Sequence, residues 1–186
     1  MVPASNEPLS CAHLLYTPHM RVMGVDCGGE YTGFGVVEQA ECGDLYCLEV
    51  GTIRLFPKDR LEHRLDQIFC RLTEIIERHR PEIVAIEDVF YAANAKTALK
   101  LGHVRGVAML AASRCGLEVV AYAPLAVKSA VVGYGKAEKS QVQMMVARLL
   151  KLECVPEPAD AADALAIAIC HLHTAATLAR YAARAH

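Results

Sequence analysis

The sequence predicts an α/β domain built on a mixed sheet, and three observations carry that reading. Short apolar runs separated by glycine-rich turns fill the first third of the 186 residues. Further along, segments with apolar residues at helical spacing alternate with two β-branched runs. An apolar content of 54% against 22% charged residues supplies a core for one globular domain and argues against disorder.

Residues 21–26 and 33–39 of "RVMGVDCGGEYTGFGVV" read as two strands joined by the turn at Cys27–Thr32. "LYCLEVGTIRL" (45–55) reads as a third strand after the turn at Gly43–Asp44. A helix follows over 60–79, where Leu61, Leu65, Ile68, Leu72, Ile75 and Ile76 recur at helical spacing and Pro81 closes the segment. "EIVAIEDVF" (82–90) is a buried strand, 95–115 an amphipathic helix and "LEVVAYA" (117–123) a further strand. Pro124 suits the first position of a helix. "GYGKAEK" (133–139) is a glycine-punctuated loop, and helices fill 139–151 and 160–180. Three antiparallel-type strands, then helix, strand, helix, strand and helices fit an RNase H-like arrangement, a five-stranded mixed sheet flanked by helices. Periodicity alone fits other mixed α/β folds as well.

Residues 20–180 are assigned to this one domain. The first 19 residues lack a basic segment followed by a sustained apolar stretch, so no signal peptide is expected there. They are expected to form a disordered extension, with Met20 the candidate natural start. No apolar run is long enough to span a bilayer. Eight scattered cysteines without a C-x-x-C pair argue against structural zinc. Six of them sit in apolar or helical runs, as free buried thiols do in a reducing cytoplasm.

The net charge of −2 hides a strong asymmetry. Residues 1–89 hold 8 Lys/Arg against 15 Asp/Glu, residues 90–151 hold 9 against 2, and residues 152–186 hold 2 against 4. A basic middle on an acidic frame suits a surface that meets phosphates. A basic subunit interface or a plain solvated face accounts for the charge equally well.

Acidic residues stand where buried apolar ones would otherwise sit. Asp26 ends the first strand, Glu87 lies inside "IVAIEDVF", and Asp88 beside it points to the opposite face. Asp160 and Asp163 in "PADAADALAIAICHLH" share one face of a helix. Asp160 alone could be an N-cap, but that explains one of the pair and not both. Carboxylates gathered at one sheet end repel one another unless a cation neutralises them. All-oxygen ligands suit Mg²⁺ or Mn²⁺, and two such ions would clamp the attacking and leaving oxygens of a phosphodiester. The D-x-G-G start also resembles the first phosphate loop of actin-like kinases. Those folds need two domains and a second glycine-rich loop, which this length does not provide.

With the acids placed, four stretches resemble RuvC-type Holliday-junction resolvases: "RVMGVDCGGEYTGFGVV", "IVAIEDVFYAANAKTALKLGHVRGVAM", "PLAVKSAVVGYGKAEKSQVQMMVARLLKL" and "ADAADALAIAICH". The resemblance covers residues 21–175. It implies an RNase H-like fold, a homodimer with two active sites, paired Mg²⁺-dependent nicks across a four-way DNA junction, and a branch-migration helicase complex as partner. By the same resemblance the catalytic acids are Asp26, Glu87, Asp160 and Asp163, the junction-contacting aromatic is Phe90, and the functional lysines are Lys128 and Lys139. Cys27 and Gly29 stand where the family has proline and serine, and Asp88 where an amide is usual. The first departure is expected to loosen the turn and expose a thiol near the metal site but removes no ligand; Asp88 is neutral to the site if it points away and changes the charge of the metals if it reaches them.

Tyr91 is a second candidate for stacking on an unpaired base. Lys96, Lys100, Arg105 and Lys136 are expected to contact the DNA backbone, and Lys139 to sit near a charged transition state. Gly102 and Gly106 permit close approach of a helix, either in a dimer or against the protein's own sheet. His171 and His173 lie two or three turns past the last acids, too far for a metal role. The expected function is junction-resolving hydrolysis. The alternative is a junction-binding architectural protein without catalysis, against which the intact acids argue.

Overall fold

The computed structural model describes residues 19–88 and 95–184. The expected extension therefore lies, but for His19, outside the described residues. Five strands form one sheet: β1 (Met20–Cys27), β2 (Tyr31–Gln39), β3 (Leu45–Arg54), β4 (Ile83–Glu87) and β5 (Glu118–Tyr122). Their order across the sheet is β3-β2-β1-β4-β5. The β1–β2 and β2–β3 pairs are antiparallel, while β1–β4 and β4–β5 are parallel. Parallel neighbours need crossovers, and α1 (Leu61–His79) and α2 (Ala95–Arg114) follow β3 and β4. Then come α3 (Pro124–Val132), α4 (Lys139–Leu149) and α5 (Ala159–Arg184). The expected elements are all present, with ends shifted by a few residues.

Alternation along β1 sorts the core into two layers. Met23, Val25 and Cys27 face α1 and α2, together with Phe34, Val36, Val84 and Ile86. Met20 and Val22 face α3, α4 and α5, together with Val37, Ile83 and Ala85. By the same alternation Asp26 and Glu87 belong to the α5 side.

That helix lies unusually close to the sheet because β1 and β2 meet it with glycine. Gly24 pairs with Gly35, and Asp26 with Gly33. A Cβ on Gly24 would stand 2.0 Å from the Ala164 carbonyl oxygen, and one on Gly33 2.0 Å from that of Asp160. Only glycine lets backbone approach backbone so closely. Contrary to the expectation that no run is long enough to span a bilayer, α5 over Ala159–Tyr181 is long and apolar enough to cross one, yet 67% of its apolar 18-residue window is buried in the protein. Its apolarity serves the core.

The seven described cysteines are all free, but burial is not their common feature. Cys27 and Cys170 are buried, whereas Cys42, Cys70 and Cys154 are exposed. Cys42 and Cys154 sit in turns, and Cys70 lies on the wet face of α1.

Candidate active site

Three elements bring the four acids to one end of the sheet. Parallel pairing sets Val25 beside Ile86, so the next residues along, Asp26 and Glu87, lie at the same end of adjacent strands. Gly33, opposite Asp26, carries the first turn of α5 against it, and a Cβ on Gly28 would lie 3.1 Å from Asp160 Oδ1. Asp163 follows one turn later on α5. Because α5 opens at Ala159, Asp160 lies inside the first turn and is not the N-cap. An acid there interacts favourably with the positive helix end.

The acids perturb one another. Burial pushes Asp26 up to about 7, and the charges of Asp163, Glu87 and Asp160 add to it while Lys139 opposes. Glu87 is raised by burial and then by Asp163, with Lys139 and Lys128 pulling the other way. Burial also raises Asp163, against the hydrogen bond and charge of Lys139. Lys139 Nζ stands 2.5 Å from Asp163 Oδ2. Burial tends to lower the Lys139 pKa, but this hydrogen bond and the surrounding acids raise it. Its position as the first residue of α4 sets it against the helix dipole, which Asp163 offsets. Glu87, Asp163, Lys128 and Lys139 line a cleft of about 230 Å³ between β4 and α3–α5.

Among the described residues no three acidic, histidine or cysteine side chains stand close enough together to hold one metal ion. What fits a hard cation is the donor chemistry: carboxylate oxygens only, negative in excess, partly wet and open to further oxygen ligands.

The other sequence-predicted residues take different places. Lys128 donates to the Ala137 carbonyl at 3.0 Å, bracing the loop before α4. Lys100 Nζ comes within 4.0 Å of where a Gly29 Cβ would stand, near the acids. Lys96 and Lys136 are exposed. Arg105 is three-quarters buried and pairs with Asp88 at 3.2 Å. Asp88 thus finds its partner on α2, the face of the sheet away from Asp26. Phe90 and Tyr91 lie outside the described residues. His171 is buried and its Nδ1 is 2.9 Å from the Tyr122 hydroxyl, so it pins α5 to β5. Cβ atoms on Gly102 and Gly106 would meet open space, which removes the reading of close packing on the protein's own sheet.

Sequence reasoning missed Arg64, which is buried in α1 and donates to the Gly29 carbonyl at 3.0 Å. A signal existed. Counting four residues back from Ile68 on the apolar stripe lands on Arg64.

A family model described as crossover junction endodeoxyribonuclease RuvC matches residues 22–171. This chain belongs to the RuvC family. A family protein of Koribacter versatilis is 69% identical over 166 residues, spanning 89% of this chain and all of its own length. The solved structure of T. thermophilus RuvC in complex with a Holliday junction substrate superposes with a TM-score of 0.79 at 34% identity, covering 85% of this chain and 96% of that one. The yeast mitochondrial Holliday junction resolvase Ydc2, at 15% identity and a TM-score of 0.68 over 87% of this chain and 81% of its own, shares the fold. In the RuvC family this sheet and α5 thus form a nuclease scaffold.

Proposed function

We propose that this chain resolves four-way DNA junctions by hydrolysing phosphodiester bonds at Asp26, Glu87, Asp160 and Asp163. The observation that carries the reading is four mutually repelling carboxylates from β1, β4 and α5 at one sheet end. A fold gains nothing from that repulsion, so the acids serve a ligand. Their oxygens would hold Mg²⁺ ions, two for each site, with Mn²⁺ able to substitute. When bound, such a cation supplies the positive charge and Lewis acidity that phosphodiester cleavage requires. Lys139, paired with Asp163, is placed to hold charge developing on the phosphate. Lys100, Lys96 and Lys136 act as backbone contacts, and Phe90 or Tyr91 as the stacking ring.

A homodimer suits the paired nicks that a four-armed substrate needs. Support comes from α2, whose outer face exposes Leu99 at 66% and Leu110 at 52% beside the open Gly102 and Gly106. The partnership with a branch-migration helicase complex rests on family resemblance alone. The test is a synthetic four-way junction incubated with Mg²⁺, with Ca²⁺ and with chelator. Paired nicks with Mg²⁺ and binding without cutting in Ca²⁺ are expected. Cutting in excess chelator would overturn the metal reading, and binding without cutting under every metal would leave the architectural alternative.

A further inference from the structure

Arg64 is the one buried cation among the described residues that packs in the core without a carboxylate. It is 7% exposed, on the same stripe of α1 as Ile68, Leu72 and Ile75. Its Nη2 donates to the Gly29 carbonyl, and its Nε is buried with no partner. The nearby first-turn acid, Glu62, is paired instead with Arg60 at 2.5 Å. A cation in the first turn also opposes the helix dipole. Burying such a charge unpaired is expensive, so folding alone does not account for it.

What Arg64 holds is the turn that joins Asp26 to β2. Three successive residues of this turn, Gly28, Gly29 and Glu30, are tied down. The Gly28 amide donates to the Asp26 carbonyl at 3.1 Å, Arg64 grips Gly29, and the Leu55 amide donates to the Glu30 carbonyl at 2.7 Å. Only the middle tie uses a side chain. The same turn brings Gly28 up to Asp160. We propose that Arg64 is a positioning residue: by fixing the Gly28–Glu30 turn between Asp26 and Asp160, it sets how tightly the carboxylates hold a divalent cation. This rests on the reading of those acids as metal ligands.

The experiment measures Mn²⁺ binding to the full metal-free chain without DNA, by the loss of the free-ion electron paramagnetic resonance signal. It compares the parent chain with Arg64→Met and Arg64→Lys and records the melting temperature of each. Residues that orient metal ligands from outside cost about 10–100-fold in affinity when removed, and Arg64→Met is expected in that range. Arg64→Lys, which keeps the charge and one donor, is expected in between. Melting of the metal-free Arg64→Met chain should stay level or rise, because an unpaired buried charge has gone. Mn²⁺ affinity within about twofold of the parent in both variants overturns the inference. So does failure of both to fold, since Arg64 would then serve the core. If the parent itself binds no Mn²⁺, it is the metal reading of the acids that falls.

Discussion

Asp26 combines burial with three like charges, and the consequence is a pH dependence with a definite sign. Its carboxyl titrates near 7 in the folded chain and near 3.8 when unfolded, so between those values the folded state holds the extra proton. Stability of the metal-free chain is therefore expected to fall as pH rises from about 4 to 7. Glu87 and Asp163, also raised, act in the same direction. His171 acts oppositely: burial lowers it from 6.5 to about 4, so its contribution is lost as pH falls through that window. Urea denaturation of the parent and of Asp26→Asn in chelator separates the two. The variant should show the smaller loss toward pH 7, and identical profiles would refute the placement of Asp26 among repelling charges. Asp160→Asn tests chemistry at the same scale. Junction binding should persist while nicking falls by orders of magnitude, because a misplaced cation stabilises the transition state poorly. Unchanged nicking in a gel assay would return Asp160 to a purely helical role.

At the scale of elements, the seat of α5 on glycine decides whether the acids meet. Gly33→Ala pushes a methyl into the Asp160 backbone, and overpacking of this kind costs roughly 1–3 kcal/mol. Denaturant midpoints should drop accordingly, and nicking should fall further than stability does. Gly106→Ala, with nothing within 4 Å, is the control: monomer stability should rise by about 0.5–1 kcal/mol. If α2 closes a dimer, the same change weakens self-association in sedimentation. This contrast also marks what the sequence made legible. Strand and helix periods, and the acids at strand ends, could be read because each breaks a local pattern. The different roles of Gly33 and Gly106 could not, since both look like glycines in apolar runs. Arg105 read as a phosphate contact because its partner Asp88 lies on another element. Arg64 was passed over because arginine in a helix ordinarily means a wet face.

Across the whole molecule, three cations of the basic stretch between residues 90 and 151 adjoin the acidic site. Lys100, Lys128 and Lys139 all lie toward the end of the sheet that carries the acids. Junction affinity should therefore drop steeply with salt although the chain is net acidic, with more than about two phosphates' worth of slope in log K against log salt. A flatter line from filter-binding titrations would show the basic residues to be a subunit or solvated face. The strand order has a separate consequence, in time. Asp26 is made early and α5 last, and at about 5–20 residues per second the interval is on the order of ten seconds. Through that interval β1 and β2 hold an empty glycine groove, and Asp26, joined by Glu87 once β4 is made, waits for Asp160 and Asp163. A chain released before α5 emerges lacks both half of its carboxylates and one wall of its core. Cutting DNA is thus a property that only a finished polypeptide acquires.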